Sequence, residues 1–203
     1  LFTLDKINKS SELELLILER IKNSGYDLGR GKRIVLITAH RRENHGHGLE
    51  NICEAVKSIA QAHENIDIVF PVHPNPKIKK VADQLLATIE NVHLISPLSY
   101  EDFVYLMDKS YFLITDSGGI QEEAPSLKKP VLVMRESTER PEALAAGTIM
   151  LVSSEKKAII DAAELLLIPN SELYTKMSNQ NNPYGDGKAS ERIVSFFKKL
   201  TKE

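Results

Sequence analysis

Two adjacent glycines, Gly118 and Gly119, follow Ser117 directly after an apolar run at residues 111–115. Glycine lets the backbone turn tightly near a ligand, and the N–H groups that open a helix attract anions. The stretch predicts a phosphate contact, although an ordinary strand-to-helix turn has the same composition. It matches neither a dinucleotide-binding GxGxxG motif nor a Walker loop, so NAD and nucleoside triphosphates gain no support. Glu123 follows four residues later, where its carboxylate could reach a ligand hydroxyl or simply face solvent.

Histidines, arginines and glycines crowd residues 39–48, after a second apolar run. Ionisable groups at a strand end suit anion binding or proton transfer, and His40 is the candidate for these roles. The alternative for His40 is a structural imidazole whose hydrogen bonds are satisfied. His45 and His47 belong to no HExxH or repeated aspartate pattern, and Cys53 is distant in sequence, so the cluster does not predict a metal site.

Two further clusters follow later apolar runs. Three prolines within residues 71–76 stiffen a loop that carries His73, either to present that side chain to a ligand or to form a plain turn into a helix. Arg140 directly precedes Pro141, a residue suited to the first position of a helix, which would bring the guanidinium within reach of a phosphate. Arg135 ends the preceding run, and a structural pair with a glutamate of the same loop is the alternative for either arginine.

The clusters are positioned by short β-branched runs that alternate with amphipathic stretches of helical length. The runs predict six strands, at 33–38, 66–70, 92–95, 111–115, 130–134 and 148–152. Helices are predicted near 49–63, 76–88, 99–109, 119–128, 141–146 and 155–168. Continuously apolar strands joined by helices are typical of a parallel sheet covered on both faces, so we expect a doubly wound, mostly parallel, six-stranded Rossmann-like α/β sheet. In such sheets ligands bind beyond the carboxyl ends of the strands, where the clusters stand.

Helical patterns also flank this region. A leading helix is predicted from Ser11, opened by a capping box of Ser11 and Glu14. At the other end a turn-rich stretch, 181–187, separates helical patterns at 173–180 and 189–199. The last of these helices carries apolar side chains that need a partner, on this domain or outside this chain. The expected division is a connection and leading helix (1–32), a nucleotide-binding domain (33–180) and a terminal turn and helix (181–203).

Composition excludes several classes of protein. The chain has 203 residues, 42% of them hydrophobic, with 26 basic and 28 acidic side chains and a formal net charge of −2. This much apolar surface argues against disorder, and the longest apolar run, 158–168, is too short and too charged to span a membrane. Balanced charge without a basic block predicts no binding to nucleic acid or to an anionic membrane surface. The single cysteine suits a reducing compartment, and we expect a cytoplasmic protein. Because the chain starts at Leu1 and runs quickly into a helix, we also expect it to be a fragment.

Five stretches together resemble the non-hydrolysing UDP-N-acetylglucosamine 2-epimerase family. They occur in order over nearly the whole chain: TAHRREN (38–44), PVHPNP (71–76), TDSGGIQEEAP (115–125), RESTERPE (135–142) and NPYGDG (182–187). The resemblance implies the C-terminal domain of a glycosyltransferase-B-like enzyme with two Rossmann-like domains. It implies the interconversion of UDP-N-acetylglucosamine and UDP-N-acetylmannosamine, without NAD or metal, to supply surface polysaccharide. In that reaction UDP is eliminated to leave a 2-acetamidoglucal and is added back after C2 is protonated on the other face.

The resemblance also implies roles for individual residues. Ser117, Gly118 and Gly119 would hold the diphosphate. Arg140 would be a further phosphate contact, and Glu123 would accept hydrogen bonds from the ribose hydroxyls.

A second group of implied contacts surrounds the base, the sugar and a possible regulatory site. Phe103 matches the position near the uracil, with a buried helix aromatic as the alternative. His40 would act as the active-site histidine on the phosphate and sugar side. Arg41 or Arg42, with His73, matches positions that face a second substrate-sized site linked to allosteric activation.

The resemblance places the main acid and base carboxylates in an N-terminal domain outside this chain. We therefore expect this chain to bind UDP weakly and not to epimerise, and the full-length form to be a homodimer. The alternatives are half of a hydrolysing 2-epimerase, half of a B-type glycosyltransferase, or a non-catalytic module that binds nucleotide sugars.

Overall fold

Short β-branched segments form a six-stranded sheet in the computed structural model, which describes residues 2–44 and 46–200. The strands are β1 (Arg33–Thr38), β2 (Ile66–Pro71), β3 (Val92–Ile95), β4 (Phe112–Thr115), β5 (Val131–Val133) and β6 (Ile149–Leu151). The helices are α1 (Phe2–Asn8), α2 (Ser11–Ser24), α3 (His47–Ala62), α4 (Pro76–Leu86), α5 (Tyr100–Lys109), α6 (Gly118–Glu123), α7 (Pro141–Ala146), α8 (Lys156–Leu167), α9 (Glu172–Ser178) and α10 (Ala189–Leu200). The predicted alternation of strands and helices is confirmed.

The sheet is parallel throughout, with the strand order β3-β2-β1-β4-β5-β6. The expected doubly wound α/β sheet is therefore confirmed. Consecutive strands run outward from β1 to one edge, and the chain then returns to the centre and builds the other half from β4. This reversal lies between β1 and β4, so a crevice is expected beyond their carboxyl ends.

Alternating side chains of the central strands point to opposite faces of the sheet, and a hydrophobic core lies on each face. Val35 and Ile37 pack with residues of α3, α4, α8 and α9. Ile34 and Leu36 face the other core, which receives residues from α1, α2, α5, α6 and α7. Because both faces are covered, the strands are apolar along their whole length, and they are rigid supports for the loops at their ends.

A buried carboxylate at the amino end of the sheet ties the leading segment to this frame. Asp67 of β2 is fully buried and accepts hydrogen bonds from Arg30 Nε (2.7 Å) and from the Tyr26 hydroxyl (3.3 Å). His93 Nε2 lies 3.4 Å from the same carboxylate. A buried charge needs such partners, and here they join residues 26–30 to β2 and β3.

Helix ends account for the places where the structure differs from the expectation. α2 is capped by Ser10, whose Oγ accepts from the Leu13 backbone N at 3.2 Å, so the predicted capping box of Ser11 and Glu14 is wrong. The backbone of Ser10 is extended, whereas Ser11 is already helical. α1 was not predicted. The predicted helix 119–128 ends as an α-helix at Glu123 and continues as a 3₁₀ turn, because Pro125 has no N–H for the next helical bond.

The terminal helix α10 has no buried residue. Exposed apolar side chains stand along it, among them Ile193, Phe196 and Leu200 at 54–60% exposure. Such an apolar face interacts unfavourably with water and is typical of a surface that packs against another structural element. Within the described residues, no helix combines the length and the apolar character needed to cross a bilayer.

Candidate functional site

The crevice at the centre of the sheet is built on one buried carboxylate. Asp116 follows β4 directly and is fully buried. Its Oδ2 accepts from the backbone N of His40 (2.9 Å), the backbone N of Arg41 (2.8 Å) and Asn44 Nδ2 (3.0 Å). Burial alone opposes ionisation, but these donors stabilise the charged form, and the pKa of Asp116 lies below its usual value. The carboxylate therefore clamps the loop after β1 onto the end of β4.

The same carboxylate orients the His40 ring. His40 Nδ1 lies 3.1 Å from Asp116 Oδ1, while 41% of the side chain is exposed. The hydrogen bond to Asp116 raises the pKa of His40 above 6.5, although burial acts against the charged form. With Nδ1 engaged, Nε2 is the ring nitrogen left to face a ligand, as a donor when the ring is protonated.

Four of the predicted site residues line one cavity of about 220 Å³ beside this pair: His40, His73, Phe103 and Ser117. The rings of His40 and His73 stack with centroids 6.1 Å apart and planes inclined by 15°. Phe103 is partly buried, and prolines and Leu98 complete an apolar wall. Ser117 precedes α6 without using its side chain as a cap. One side of the cavity is thus apolar and suited to a flat ring. The other side carries side chains that can donate hydrogen bonds, those of His40, His73 and Ser117.

Two guanidinium groups converge beside the glycine pair. A Cβ atom built on Gly118 would lie 3.5 Å from Arg41 Nη2 and 3.7 Å from Arg140 Nη2. A Cβ on Gly119 would lie 3.9 Å from Ser117 Oγ. α6 is only six residues long, so the guanidinium groups, rather than the dipole of the helix, are the main source of positive charge beside Gly118.

Arg140 is held by side chains from α6 and from the loop before α7. Its Nε donates to Glu122, and its Nη1 donates to the carbonyl of Glu139 at 3.1 Å. Its backbone N donates to Thr138 Oγ1 at 3.0 Å, and that hydroxyl donates to Gln121 Oε1. The N-cap position immediately before Pro141 is confirmed for Arg140. These bonds fix the first turn of α7 against α6, with Gly118 at the near end of α6.

Glu123 ends α6 and lines a separate pocket with Tyr100 and Ser126. Tyr100 donates from its hydroxyl to Glu123 Oε1 at 3.4 Å, and burial raises the pKa of Glu123. Tyr100 opens the helix that also carries Phe103, and Ser99 caps it by accepting from Asp102 N. Glu123 does not line the cavity, but its hydrogen-bond partner lies one turn from Phe103.

The remaining ionisable groups of the loop after β1 lie outside the cavity. Arg42 is exposed on a 3₁₀ turn, and His47 pairs with Glu50 at 3.6 Å. His45 lies outside the described residues. Among residues 2–44 and 46–200, no group of three or more histidine, cysteine, aspartate or glutamate side chains could hold a metal ion.

Of the two arginines in the loop between β5 and α7, Arg135 has a structural role. Only 8% of its side chain is exposed. Its Nε lies 2.8 Å from Glu43 Oε1, and its Nη atoms donate to both oxygens of Glu139 at 3.0 Å. Arg135 therefore stabilises the fold of this loop, whereas Arg140 of the same loop lies beside the glycine pair.

Sequence reasoning missed Asp116, which no motif argument gave a role of its own. The available signal was a carboxylate directly after a buried strand. It also placed Arg41 apart from Arg140, whereas the structure brings both guanidinium groups to Gly118. The convergence depends on the β1–β4 pairing, which the order of residues along the chain does not display.

Comparison with known proteins agrees with this geometry. A family model described as UDP-N-acetylglucosamine 2-epimerase matches residues 3–198. The UDP-N-acetylglucosamine 2-epimerase of Campylobacter jejuni is 52% identical over 95% of this chain and 50% of its own length. The crystal structure of UDP-GlcNAc 2-epimerase from Neisseria meningitidis bound to UDP-GlcNAc has a TM-score of 0.87 and 46% identity, over 97% of this chain and 52% of that one.

A third relative, a co-structure of S. aureus MnaA with UDP, has a TM-score of 0.80 and 42% identity over 92% of this chain and 53% of its own. The structural relatives have a glycosyltransferase-B-like fold, which confirms the expected fold class. This chain spans about half the length of the relatives that it matches. The extent of the family match, together with identities of about 50%, shows that the chain belongs to the UDP-N-acetylglucosamine 2-epimerase family.

Proposed function

We propose that this chain is the nucleotide-binding part of an enzyme that interconverts UDP-N-acetylglucosamine and UDP-N-acetylmannosamine. The observation that carries the proposal is the convergence of Arg41 and Arg140 at Gly118, next to a cavity that has an apolar wall and is lined by His40 of the His40–Asp116 pair. A uridine diphosphate needs both features: cationic donors for its phosphates and a flat apolar surface for its base. Relatives of this chain have been solved with UDP-GlcNAc and with UDP.

The proposed ligand lies along the crevice with its base toward Phe103. Its diphosphate then meets Ser117, the backbone of Gly118 and Gly119, and the guanidinium of Arg140. Glu123 accepts from the ribose hydroxyls, for which it turns from Tyr100 toward the crevice.

The proposed chemistry is a loss of UDP from C1 followed by its return. When the C1–O bond breaks, negative charge develops on the departing β-phosphate, and fixed cationic donors lower the energy of that state. When its ring is protonated, the form that Asp116 favours, His40 donates from Nε2 to this oxygen, and Arg140 stabilises the adjacent phosphate. Loss of UDP from C1 and of the proton from C2 leaves a glucal. Protonation of C2 on the opposite face, with readdition of UDP at C1, inverts the configuration at C2.

We infer that the base for C2 comes from outside the described residues. Carboxylates near the crevice are engaged: Asp116 holds His40, Glu122 holds Arg140, and Glu43 holds Arg135. The expected division therefore stands as a proposal, with 33–180 as the UDP-binding domain, 1–32 as the connection and 181–203 as the segment that packs on the other half. The exposed apolar face of α10 supports this packing. We further propose a cytoplasmic homodimer for the full-length enzyme.

A separate regulatory substrate site at Arg41, Arg42 and His73 is harder to reconcile with these positions. Arg41 lies at Gly118 with Arg140, and His73 stacks on His40. A second substrate at these residues would share a wall with UDP. We therefore assign Arg41 to the diphosphate and propose that His73 supports the His40 ring.

Titration of the purified 203-residue chain with UDP, followed by ligand-detected NMR, tests the proposal. We expect weak, saturable binding of UDP that uridine does not match, because the cationic groups act on the phosphates. We expect no turnover of UDP-N-acetylglucosamine until the other half is supplied. An absence of UDP binding would refute the assignment, and epimerisation by the chain alone, free of host enzyme, would refute the division of roles.

A further inference from the structure

A fully buried glutamine joins the two elements that carry the proposed phosphate contacts. Gln121 lies in α6, and its side chain is shielded from solvent. Its Nε2 donates to the carbonyl of Ser117 at 3.1 Å, and its Oε1 accepts from the Thr138 hydroxyl at 2.5 Å. A buried amide is costly unless its polar atoms are paired, and here both of them are. The proposed binding of UDP gives this side chain no role.

The two ends of this series of hydrogen bonds set the direction of every bond in it. The backbone N of Arg140 can only donate, and it donates to Thr138 Oγ1 at 3.0 Å. The hydrogen of the Thr138 hydroxyl is then directed at Gln121 Oε1. At the other end the carbonyl of Ser117 can only accept, so the NH₂ group of Gln121 must face it. We call the two side chains the Gln121–Thr138 bridge.

The Gln121–Thr138 bridge crosses the point where the proposed ligand places its phosphates. Ser117 directly precedes Gly118, and a Cβ atom built on Gly118 would lie 3.7 Å from Arg140 Nη2. The bridge connects the carbonyl of Ser117 on one side of this point to the backbone N of Arg140 on the other. The length of the bridge therefore sets how far the Arg140 backbone lies from the start of α6.

The direct attachment of the Arg140 side chain to α6 is open to water. Arg140 Nε donates to Glu122, and the two side chains are 31% and 42% exposed. An exposed ion pair is weak, because solvent screens it and two flexible side chains lose freedom in forming it. Hydrogen bonds to a buried amide are less screened, so the bridge through Gln121 is the firmer of the two attachments.

We propose that Gln121 and Thr138 are positioning residues for the diphosphate: they hold Arg140 at the distance from Gly118 at which the guanidinium and the start of α6 meet the same anion. The inference rests on the proposed function, because that anion is the diphosphate of the proposed ligand. Neither side chain of the bridge touches the ligand. Their effect on affinity is transmitted through the position of Arg140.

The first test follows Arg140 by NMR without any ligand. Thr138→Val keeps the shape of the side chain but removes the acceptor for the Arg140 amide and the donor to Gln121. We expect the backbone amide of Arg140 to exchange with solvent at least about threefold faster. The Nε–H resonance of Arg140, assigned by its loss in Arg140→Lys, should shift as the guanidinium moves. A folded Thr138→Val with a wild-type Nε–H resonance overturns the proposal.

Two controls distinguish positioning from a general effect of the substitution. Thr138→Ser keeps the hydroxyl and should restore both Arg140 signals to their wild-type values. Thr175→Val makes the same chemical change where the hydroxyl donates to the carbonyl of Ser171 at 2.9 Å. Thr175 lies in α9, which packs on the opposite face of the sheet from α6 and α7, so the Arg140 signals should not change.

The second test measures the affinity for UDP and for uridine. We expect Thr138→Val to weaken UDP binding about threefold to tenfold, the range for the loss of one hydrogen bond, and to leave uridine binding unchanged. Thr138→Ser should bind UDP as the wild type does. Wild-type UDP affinity in a folded Thr138→Val, or an equal loss for UDP and uridine, overturns the proposal. If the wild-type chain binds no UDP, the proposed function fails, whereas the Nε–H resonance still decides whether the bridge holds Arg140.

Gln121→Met tests the other half of the bridge and keeps the proposal falsifiable if Thr138→Val does not fold. Methionine is unbranched and fills a similar space, but it offers no donor to Ser117. We expect the same loss of UDP affinity. The double variant should bind no more weakly than the weaker single variant, since both changes break one bridge. Thermal unfolding shows which variants are folded, and losses that add in the double variant, or wild-type affinity of a folded Gln121→Met, overturn the proposal.

Discussion

Asp116→Asn is expected to lower the pKa of His40 and to weaken UDP binding together. Oδ2 of Asp116 accepts three hydrogen bonds, and Oδ1 lies 3.1 Å from His40 Nδ1. In the asparagine variant, the single side-chain oxygen makes the most hydrogen bonds when it occupies the position of Oδ2, which three donors face. The amide NH₂ group then faces His40 Nδ1, where it donates to a neutral ring and repels a protonated one. The substitution thus reverses the preference of the site for the imidazolium.

The size of the effect follows from the hydrogen bond that is lost. A hydrogen bond to a charged group contributes about 1.5–3 kcal/mol, and about 1.4 kcal/mol corresponds to one pKa unit. Because 41% of the His40 side chain is exposed, solvent screening favours the lower end. We therefore expect the pKa of His40 to fall in Asp116→Asn, with a coupling between the two side chains of about 1.5 kcal/mol. At a pH between the wild-type and variant pKa values, UDP affinity should fall as well, since a neutral ring offers no positive charge to the diphosphate.

The stability of the wild type should depend on pH through the same two groups. The pKa of Asp116 lies below 3.8, so its contribution is present above that value and is lost as the pH falls through the folded-state pKa. The pKa of His40 lies above 6.5, so its contribution is present below 6.5 and is lost as the pH rises through the folded-state pKa. The difference in unfolding free energy between wild type and Asp116→Asn should therefore be largest between pH 4 and 6.5.

NMR titration of the histidine ring protons measures the pKa, and urea unfolding at several pH values measures the stability. Asp67→Asn is the matched control, since Asp67 is equally buried but lies at the opposite end of the sheet. It should destabilise the fold and leave the pKa of His40 unchanged. A His40 pKa that stays within about 0.3 unit of wild type in Asp116→Asn would refute the reasoning, because half of one charge-assisted bond already exceeds that shift.

Three further variants distinguish effects on UDP binding from effects on folding. Arg140→Ala should weaken UDP binding by about 1.5–3 kcal/mol, measured by NMR titration, whereas Arg33→Ala at the amino end of β1 should not; equal affinities would remove Arg140 from the site. Gly118→Ala should fold, because its Cβ would lie 3.5 Å or more from its neighbours, but should weaken UDP binding by filling the space between the guanidinium groups; wild-type affinity would contradict that placement. Ile193→Ser combined with Phe196→Ser should change the unfolding free energy of this chain by no more than about 0.5 kcal/mol, since α10 buries no residue, and a larger loss would show that α10 packs on this domain.

The strands and their ends were predictable because burial on both faces demands long apolar runs. β1 and β3 have the predicted bounds, β2 and β4 differ by one residue at one end, and β5 and β6 are one residue shorter at each end. The same logic brought His40, Ser117 and Arg140 to one edge of the sheet, since parallel strands present their carboxyl ends together. The roles of the site residues in binding remain predictions.

The details that could not be predicted depend on three-dimensional neighbours or on single-residue backbone states. Ser10 rather than Ser11 caps α2, and serine is acceptable at either position by composition. The bonds of Asp116 to His40 and Asn44 cross more than 70 residues of chain. The hydrogen bond from Asn182 to Ser126 likewise joins residues 56 positions apart in the chain. Motifs identified these residues as a set, but only the fold shows which of them touch.

The charges at the crevice suit binding of a diphosphate better than removal of a proton from carbon. Among the described residues, the ionisable side chains that line the cavity are His40 and His73. The carboxylates closest to it hold cations or hydroxyl groups, and Glu123 has a pKa raised by burial. Such a surface stabilises a departing diphosphate, but removal of the C2 proton needs a free base within hydrogen-bond reach. We propose that the base approaches across the open side of the crevice, so that the rate of epimerisation depends on how firmly the other half is held. Among the described helices, α10 has an exposed apolar face suited to hold it.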